Sequence, residues 1–196
     1  MDVRSSKIVR QTAETQISLS FTVGGSGKHQ IETPVPFLNH MLTLFAVHSR
    51  CDLIVNATGD TQVDDHHTVE DIGICLGQAI KEALGEKKGI NRYGQALIPM
   101  DEALARVVMD LSGRSFMQYA VEIPSPQLGN LSTENVKEFF QAVANQAGMT
   151  IHIDLLRGDN SHHIVEAVFK AFARAFKEAV TVIAGVEGAW SSKGQL

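Results

Sequence analysis

The sequence predicts an α+β fold, built by internal duplication of a β-β-α-β-α half. The pattern His-His-x-Val-Glu occurs twice, starting at His66 and at His162, about half the chain apart. Each copy follows a short strand-like run that ends near Gly-Asp, and each run follows an amphipathic helix candidate. This order of elements is typical of a mainly antiparallel sheet with its helices packed on one face.

Further identities at the same offset extend the repeat along the helix that each motif opens. Several positions after His66 match their counterparts after His162, spread over several helical turns, which indicates duplication. The matched pairs are Ala79 and Ala175, Lys81 and Lys177, Glu82 and Glu178, and Ala83 and Ala179.

The remaining elements of each half follow from hydrophobic periodicity and turn residues. Ser-Thr-Glu-Asn, at the start of the second amphipathic helix, has N-cap chemistry. "GGSGKH" lacks a glycine of the phosphate-loop pattern, since Thr22 stands there, so we interpret it as a hairpin turn. The β-rich stretch, amphipathic helix and strand are 15–35, 36–50 and 51–60 in the first half, and 103–123, 132–148 and 149–159 in the second.

The boundary between the halves falls near residues 85–95. We assign 1–92 to the first half, 93–181 to the second and 182–196 to a C-terminal tail. Because each half has fewer than about a hundred residues, we expect one catalytic unit with a shared core.

Composition excludes several classes of function. The chain has 196 residues, a formal net charge of −5 and a pI near 5.9, so no overall field attracts nucleic acid or an anionic membrane. The N-terminus lacks the apolar stretch of a signal peptide, and no apolar run reaches membrane-spanning length, so we expect a cytoplasmic protein. Cys51 and Cys75 match no metal or disulfide spacing and are expected to be buried thiols.

The repeated motif has the geometry of a metal half-site. His66 and Glu70 are four residues apart, so they share one helical face, while His67 is rotated by about 100°. His162, Glu166 and His163 repeat this arrangement. Imidazole and carboxylate at this spacing suit a divalent transition metal.

Two such helices supply six ligands for two metals, and His40 in the first amphipathic helix is a natural further ligand. The alternative is that the histidines are solvated helix residues. In that case Asp64, Asp65 and Asp71 would serve only the helix dipole.

Cations accompany the metal motif. Lys170 lies one turn past Glu166 on the same face. The tail sequence "SSKG", with Ser192 and Lys193, offers hydroxyls and an ammonium that suit a phosphate. Taken alone, Arg92 and Arg114 read as surface charges.

The sequence resembles the imidazoleglycerol-phosphate dehydratase family of histidine biosynthesis essentially from end to end. The matching stretches are "RQTAETQI", "FLNHML", "DDHHTVEDIGI", "RYG", "PMDEALARVVMDLSGR", "HHIVEAVFKAFARA" and "SSKG". The resemblance implies a lyase that dehydrates D-erythro-imidazole glycerol phosphate to imidazole acetol phosphate. It also implies two manganese ions per site and a large octahedral homo-oligomer with active sites between subunits.

The resemblance also assigns roles to individual residues. Glu14 becomes the candidate general acid/base; read without the family, it is an exposed strand glutamate. Glu14, His40, His48, Arg92, Arg114, Lys170, Ser192 and Lys193 become the expected substrate-binding residues. His40, His66, His67, Glu70, Glu138, His162, His163 and Glu166 become the expected metal ligands.

Glu138 marks a departure, because many family members carry a histidine ligand there. A carboxylate can bind Mn²⁺, although a water or His152 would be the alternative ligand. We expect His66 and Glu70 to share one ion with His163 and Glu138.

We expect His162 and Glu166 to share the other ion with His67 and His40. The crossing ligands, His67 and His163, would come from neighbouring subunits, as the family implies.

A metal that binds the imidazole ring as imidazolate would stabilise the intermediate, since no carbonyl acidifies the C–H bond that is broken. Two other classes remain open at this point. A metal-storage protein would not bind a phosphate ester, and a binuclear metallohydrolase would release inorganic phosphate.

Overall fold

A computed structural model describes residues 4–192, which form two similar halves, each with its own four-stranded sheet. The elements of the first half are β1 Ser5–Gln11, β2 Thr15–Thr22, β3 His29–Glu32, α1 Pro36–Ser49, β4 Asp52–Gly59 and α2 His66–Leu84. Those of the second half are β5 Tyr93–Met100, β6 Ala103–Asp110, β7 Phe116–Ala120, β8 Gln127–Leu128, β9 Leu131–Ser132, α3 Glu134–Ala147, β10 Thr150–Arg157 and α4 Ser161–Ala179.

The two large sheets have the same topology, with strand orders β1-β2-β4-β3 and β5-β6-β10-β7. β3 runs parallel to β4 and β7 parallel to β10, whereas the other pairs in these sheets are antiparallel. The duplicated α+β fold is therefore confirmed. Each large sheet has one strand more than the three predicted for its half, and the second half also contains the two-stranded β8-β9 sheet. In β1 only Ile8 is buried, so this edge strand lacks a clear hydrophobic alternation.

The four helices pack between the sheets and join the halves. α2 covers β1 and β2, and α4 covers β5 and β6, while α2 packs on α3 and α1 packs on α4. Phe45 of α1 stacks on Phe172 of α4 with ring centroids 5.3 Å apart. One continuous cluster of buried apolar side chains therefore draws on both halves.

The glycine-rich stretch after β2 is not a hairpin turn, and that prediction was wrong. β2 and β3 do not pair with each other, because β4 lies between them. The backbone N–H groups of Ser26, Gly27 and Lys28 all donate to Asp52 Oδ1, at 2.8, 3.0 and 2.9 Å. The loop thus forms an anion-binding nest, which a carboxylate of the same chain fills.

The predicted N-cap of α3 is also replaced by other contacts. Thr133 precedes the helix without a side-chain cap bond, and its hydroxyl donates to the Ser125 carbonyl instead. Ser132 donates from its backbone N–H and its hydroxyl to Asp65, at 2.9 and 2.7 Å. Asp65 therefore links the start of α2 to the second half of the chain.

Cys51 and Cys75 are buried and form no disulfide. Within residues 4–192, no helix has the length and apolar character needed to cross a membrane.

Candidate functional site

The packing of α1 on α4 brings three potential metal ligands together. One donor atom from each of His40, His162 and Glu166 lies within 4.8 Å of the other two. His40 Nε2 is 3.5 Å and His162 Nε2 is 3.2 Å from Glu166 Oε2. Asn160 caps α4 by accepting from the backbone N–H groups of His162 and His163, which fixes the turn that presents these rings.

Glu166 is the buried centre of this group. Its other oxygen, Oε1, lies 2.5 Å from Lys170 Nζ, one turn along α4. Burial alone would raise the pKa of the Glu166 carboxyl, but hydrogen bonds from Lys170, His162 and His40 outweigh it and hold the pKa below its ordinary value. Glu166 is thus ionised at neutral pH, which metal binding requires.

The matching motif on α2 is more open. His66 Nε2 lies 3.7 Å from Glu70 Oε2, and both side chains are partly exposed. His66 Nδ1 contacts Asn135 Oδ1 of α3 at 3.0 Å, so α3 stands beside this pair as α1 stands beside the pair on α4. Glu138 lies one turn past Asn135 on α3 and lines a cavity of about 530 Å³.

Glu138 and His40 hold the same place in the repeat, since each is the fifth residue of its 14-residue helix. Within residues 4–192, however, Glu138 does not form a three-ligand group with His66 and Glu70. His152 lies on β10, where its ring is tilted by 44° against that of Phe116, with centroids 5.8 Å apart.

The second histidine of each motif is oriented by a carboxylate. His67 Nδ1 contacts Asp60 at 3.1 Å, and His163 Nδ1 contacts Glu102 Oε2 at 2.7 Å. A carboxylate that is hydrogen-bonded to Nδ1 leaves Nε2 as the atom that can bind a metal, the usual arrangement around a metal-binding histidine. Hydrogen bonding to Asp60 raises the pKa of His67.

Hydrogen bonding to Glu102 likewise raises the pKa of His163. The hydrogen bond from His163, together with that from the Asn160 N–H, lowers the pKa of Glu102 to about 2. In the described part of the chain, neither His67 nor His163 joins a three-ligand group.

Glu14 lies in the turn between β1 and β2 rather than in a strand, and its Oε1 is 3.8 Å from His67 Nε2. In the corresponding turn of the second half, Asp101 Oδ2 is 3.7 Å from His163 Nε2. Each of these histidine rings therefore has a carboxylate at both nitrogens.

The expected substrate-binding cations are dispersed in the single chain. Arg92 is buried and forms a two-pronged ion pair with Asp110, at 2.7 and 3.0 Å, and its third donor bonds to the Trp190 carbonyl. Arg114 is exposed in the turn after β6, and Ser192 is exposed in the tail. Lys193 lies outside the described residues.

His48, by contrast, lies close to Lys170. Burial lowers the pKa of His48, and the positive charges of Lys170 and Arg174 lower it further.

The sequence did not identify Arg174 as a site residue, although it follows Lys170 by one helical turn. It also did not identify Asp60, Asp101, Glu102 and Asn135, which contact the histidines of the two motifs. Only Asp60 could have been found from a sequence pattern, because it is the aspartate of the Gly-Asp that precedes the first motif.

Comparisons with known proteins agree with this architecture. Residues 33–176 match the family model described as imidazoleglycerol-phosphate dehydratase. The protein of that name from Syntrophomonas wolfei is 62% identical over 190 residues, 97% of this chain and 96% of its own length. That from Geobacter sulfurreducens is 56% identical over 193 residues, 98% of this chain and 99% of its own length.

Solved structures of this type resemble the fold. The enzyme from Staphylococcus aureus aligns with a TM-score of 0.84 and 45% identity, over 91% of this chain and 99% of that one. The enzyme from Pyrococcus furiosus aligns with a TM-score of 0.83 and 38% identity, over 96% of this chain and 100% of that one. These matches confirm the resemblance inferred from the sequence: the chain belongs to the imidazoleglycerol-phosphate dehydratase family.

Proposed function

We propose that this chain dehydrates imidazole glycerol phosphate to imidazole acetol phosphate, a step of histidine biosynthesis, at a site that holds two divalent metal ions. Family membership supports the reaction. Two imidazoles and one ionised carboxylate, gathered by His40, His162 and Glu166 within 4.8 Å of one another, support the metal.

The donor chemistry fits Mn²⁺, which accepts mixed nitrogen and oxygen ligands. His40, His162 and Glu166 would hold one ion, together with His67 of a neighbouring subunit. His66, Glu70 and Glu138 would hold the other ion, together with His163 of a neighbouring subunit. When bound, the ions supply positive charge that stabilises negative charge on the substrate's imidazole ring.

Residues of the chain would bind the phosphate and move protons. Lys170 and Arg174 follow Glu166 at one-turn intervals along α4, and their positive charges would bind the substrate's phosphate. This binding would orient the substrate. Glu14, beside His67, would take the C–H proton and then deliver it to the neighbouring hydroxyl, which leaves as water, and the enol product then converts to the ketone.

Subunit assembly would complete the site. The Nε2 atoms of His67 and His163 reach no three-ligand group inside the described chain. Ligands contributed across subunit boundaries would close both metal shells, and such sharing favours the large octahedral homo-oligomer that the resemblance implies. Metal binding and assembly would then be linked equilibria.

The direct test is to incubate Mn²⁺-loaded protein with imidazole glycerol phosphate and to follow the enol/ketone absorbance of the product. Activity should disappear on chelation and return with Mn²⁺. Release of inorganic phosphate without dehydration would favour a metallohydrolase, and absence of phosphate-ester binding would favour metal storage. Full activity of the chelated protein would contradict the metal-dependent mechanism.

A further inference from the structure

A polar network with a buried centre joins α2 to the turn that carries Glu14. Asp71 follows Glu70 on α2 and is only 7% exposed. Its Oδ1 accepts from Arg10 Nε and Nη2, both at 2.9 Å, and its Oδ2 accepts from the Thr15 hydroxyl at 2.5 Å. Arg10 and Thr15 lie on β1 and β2, on either side of the turn. Asp71 therefore ties both strands of this hairpin to the helix.

The network continues to the backbone of Glu14. The Thr15 hydroxyl is 3.3 Å from the Thr12 hydroxyl, which accepts from the Glu14 N–H at 3.1 Å. The Glu14 carbonyl accepts from the Asp60 N–H at 3.1 Å, and the Asp60 carboxylate holds His67. Both polar groups of the Glu14 backbone are thus bound, one through the network and one through the residue that orients His67.

The second half of the chain builds the same structure without this network. Ala167 follows Glu166 as Asp71 follows Glu70, and Ala103 begins β6 as Thr15 begins β2.

Ile98 pairs with Ala105 on β6, just as Arg10 pairs with Ile17 on β2. The three counterparts are therefore apolar, and Ala103 and Ala167 are fully buried. Because apolar side chains of this kind complete the fold in one half, the fold itself does not require a desolvated carboxylate at Asp71.

We propose that Asp71 is a positioning residue that holds Glu14 beside His67 through Thr15 and Thr12. The inference rests on the proposed function, which gives Glu14 the role of moving the proton. Asp71 touches no reacting atom. It fixes the position of the β1–β2 turn relative to α2, the helix that also carries His66 and Glu70. A displacement of about 1 Å in a reacting group costs up to roughly 10²-fold in rate.

The repeat supplies the test variant. The triple change Arg10→Ile, Thr15→Ala and Asp71→Ala installs the residues of the second half. We expect a folded protein with the metal content and thermal midpoint of the wild type, and a kcat lowered roughly 10- to 100-fold with little change in KM. An unchanged kcat in the triple variant would overturn the inference. If the triple variant does not fold, an unchanged kcat in Thr15→Val would overturn it.

A milder pair keeps the test open if the triple variant fails to fold. Thr15→Val removes the bridging hydroxyl at nearly constant volume, and Thr15→Ser retains it. We expect Thr15→Val to lower kcat about tenfold and Thr15→Ser to keep most of the rate. Equal losses in both variants would indicate a packing role and would overturn the inference.

A double-mutant cycle with Glu14 separates positioning from general damage. In a Glu14→Gln background, Thr15→Val should cause no further loss of the residual rate, because both changes act through the same carboxylate. If the rate losses of Glu14→Gln and Thr15→Val multiply in the double variant, the positioning role is overturned while the proposed role of Glu14 stands. Full activity of Glu14→Gln by itself would overturn the role of Glu14 in the proposed function, and this inference with it.

Discussion

Lys170 and Glu166 lie one turn apart on α4, and the ammonium contacts Oε1 at 2.5 Å while His162 and His40 approach Oε2 at 3.2 and 3.5 Å. One oxygen of this buried carboxylate thus contacts a cation, and the other faces two imidazoles. The oxygen facing the imidazoles is the one available to a metal ion, and the cation stands on the side where the substrate's phosphate would bind.

Lys170→Met separates these two roles. We expect KM for the phosphorylated substrate to rise about tenfold or more, because a charge-assisted contact is lost, while metal content at neutral pH is retained. Removing Lys170 should also raise the pKa of Glu166, so metal loss on acidification should begin at a higher pH than in the wild type. Steady-state kinetics and metal analysis across pH measure both effects. Lys177→Met, on the same helix, is the control, and an unchanged KM would contradict the assignment.

Glu138→Ala tests the departure from the family pattern. If Glu138 serves the second ion as His40 serves the first, the variant should lose about one of two ions per chain and most of its activity. Glu138→His should retain much of both. Elemental analysis of the purified variants measures occupancy, with Gln141→Ala on the same helix as the control. Wild-type metal content in Glu138→Ala would show that Glu138 is not a ligand.

The Glu102–His163 pair predicts a pH window in the stability of the metal-free protein. The pKa of Glu102 is lowered from 4.5 to about 2, so its contribution is fully present above pH 4.5 and is lost as pH falls toward 2. The pKa of His163 is raised from 6.5, so its contribution is fully present below pH 6.5 and is lost as pH rises through the raised value.

The two contributions overlap between pH 4.5 and 6.5. Glu102→Gln should therefore lower the thermal midpoint most within this window and less on either side. Scanning calorimetry of chelated protein over a pH series measures this, with the exposed Glu82→Gln as control. A difference that does not vary with pH would contradict the assigned ion pair.

His67→Ala and His163→Ala should each lose metal and also shift the protein from large to smaller assemblies. The reason is that each ring would supply its Nε2 atom to a shell on another subunit, so metal and assembly stabilise one another. Light scattering coupled to size exclusion measures assembly, and elemental analysis measures metal. His29→Ala, an exposed histidine in β3, should change neither. Variants that are metal-free yet fully assembled would show that the two equilibria are independent.

Local periodicity accounts for what the sequence predicts well. His66 and Glu70, like His162 and Glu166, share a helical face wherever the helix packs, because the four-residue spacing sets their geometry. The duplication and the α+β class rest on the same local patterns. β1 escaped detection because a mostly exposed edge strand needs little hydrophobic alternation.

Contacts between distant segments required the tertiary structure. The sequence alone determined the repeated fold and the residue types that could bind metal, because hydrophobic periodicity and helical spacing are local properties. Three contacts were visible only in the folded chain. Asp52 accepts the N–H groups of the glycine-rich nest, and Asp110 binds Arg92. Asp71 accepts from Thr15 beside the turn of Glu14. These partners lie between 18 and 56 residues apart. They meet because strand pairing and helix packing bring their elements together, which no local pattern encodes.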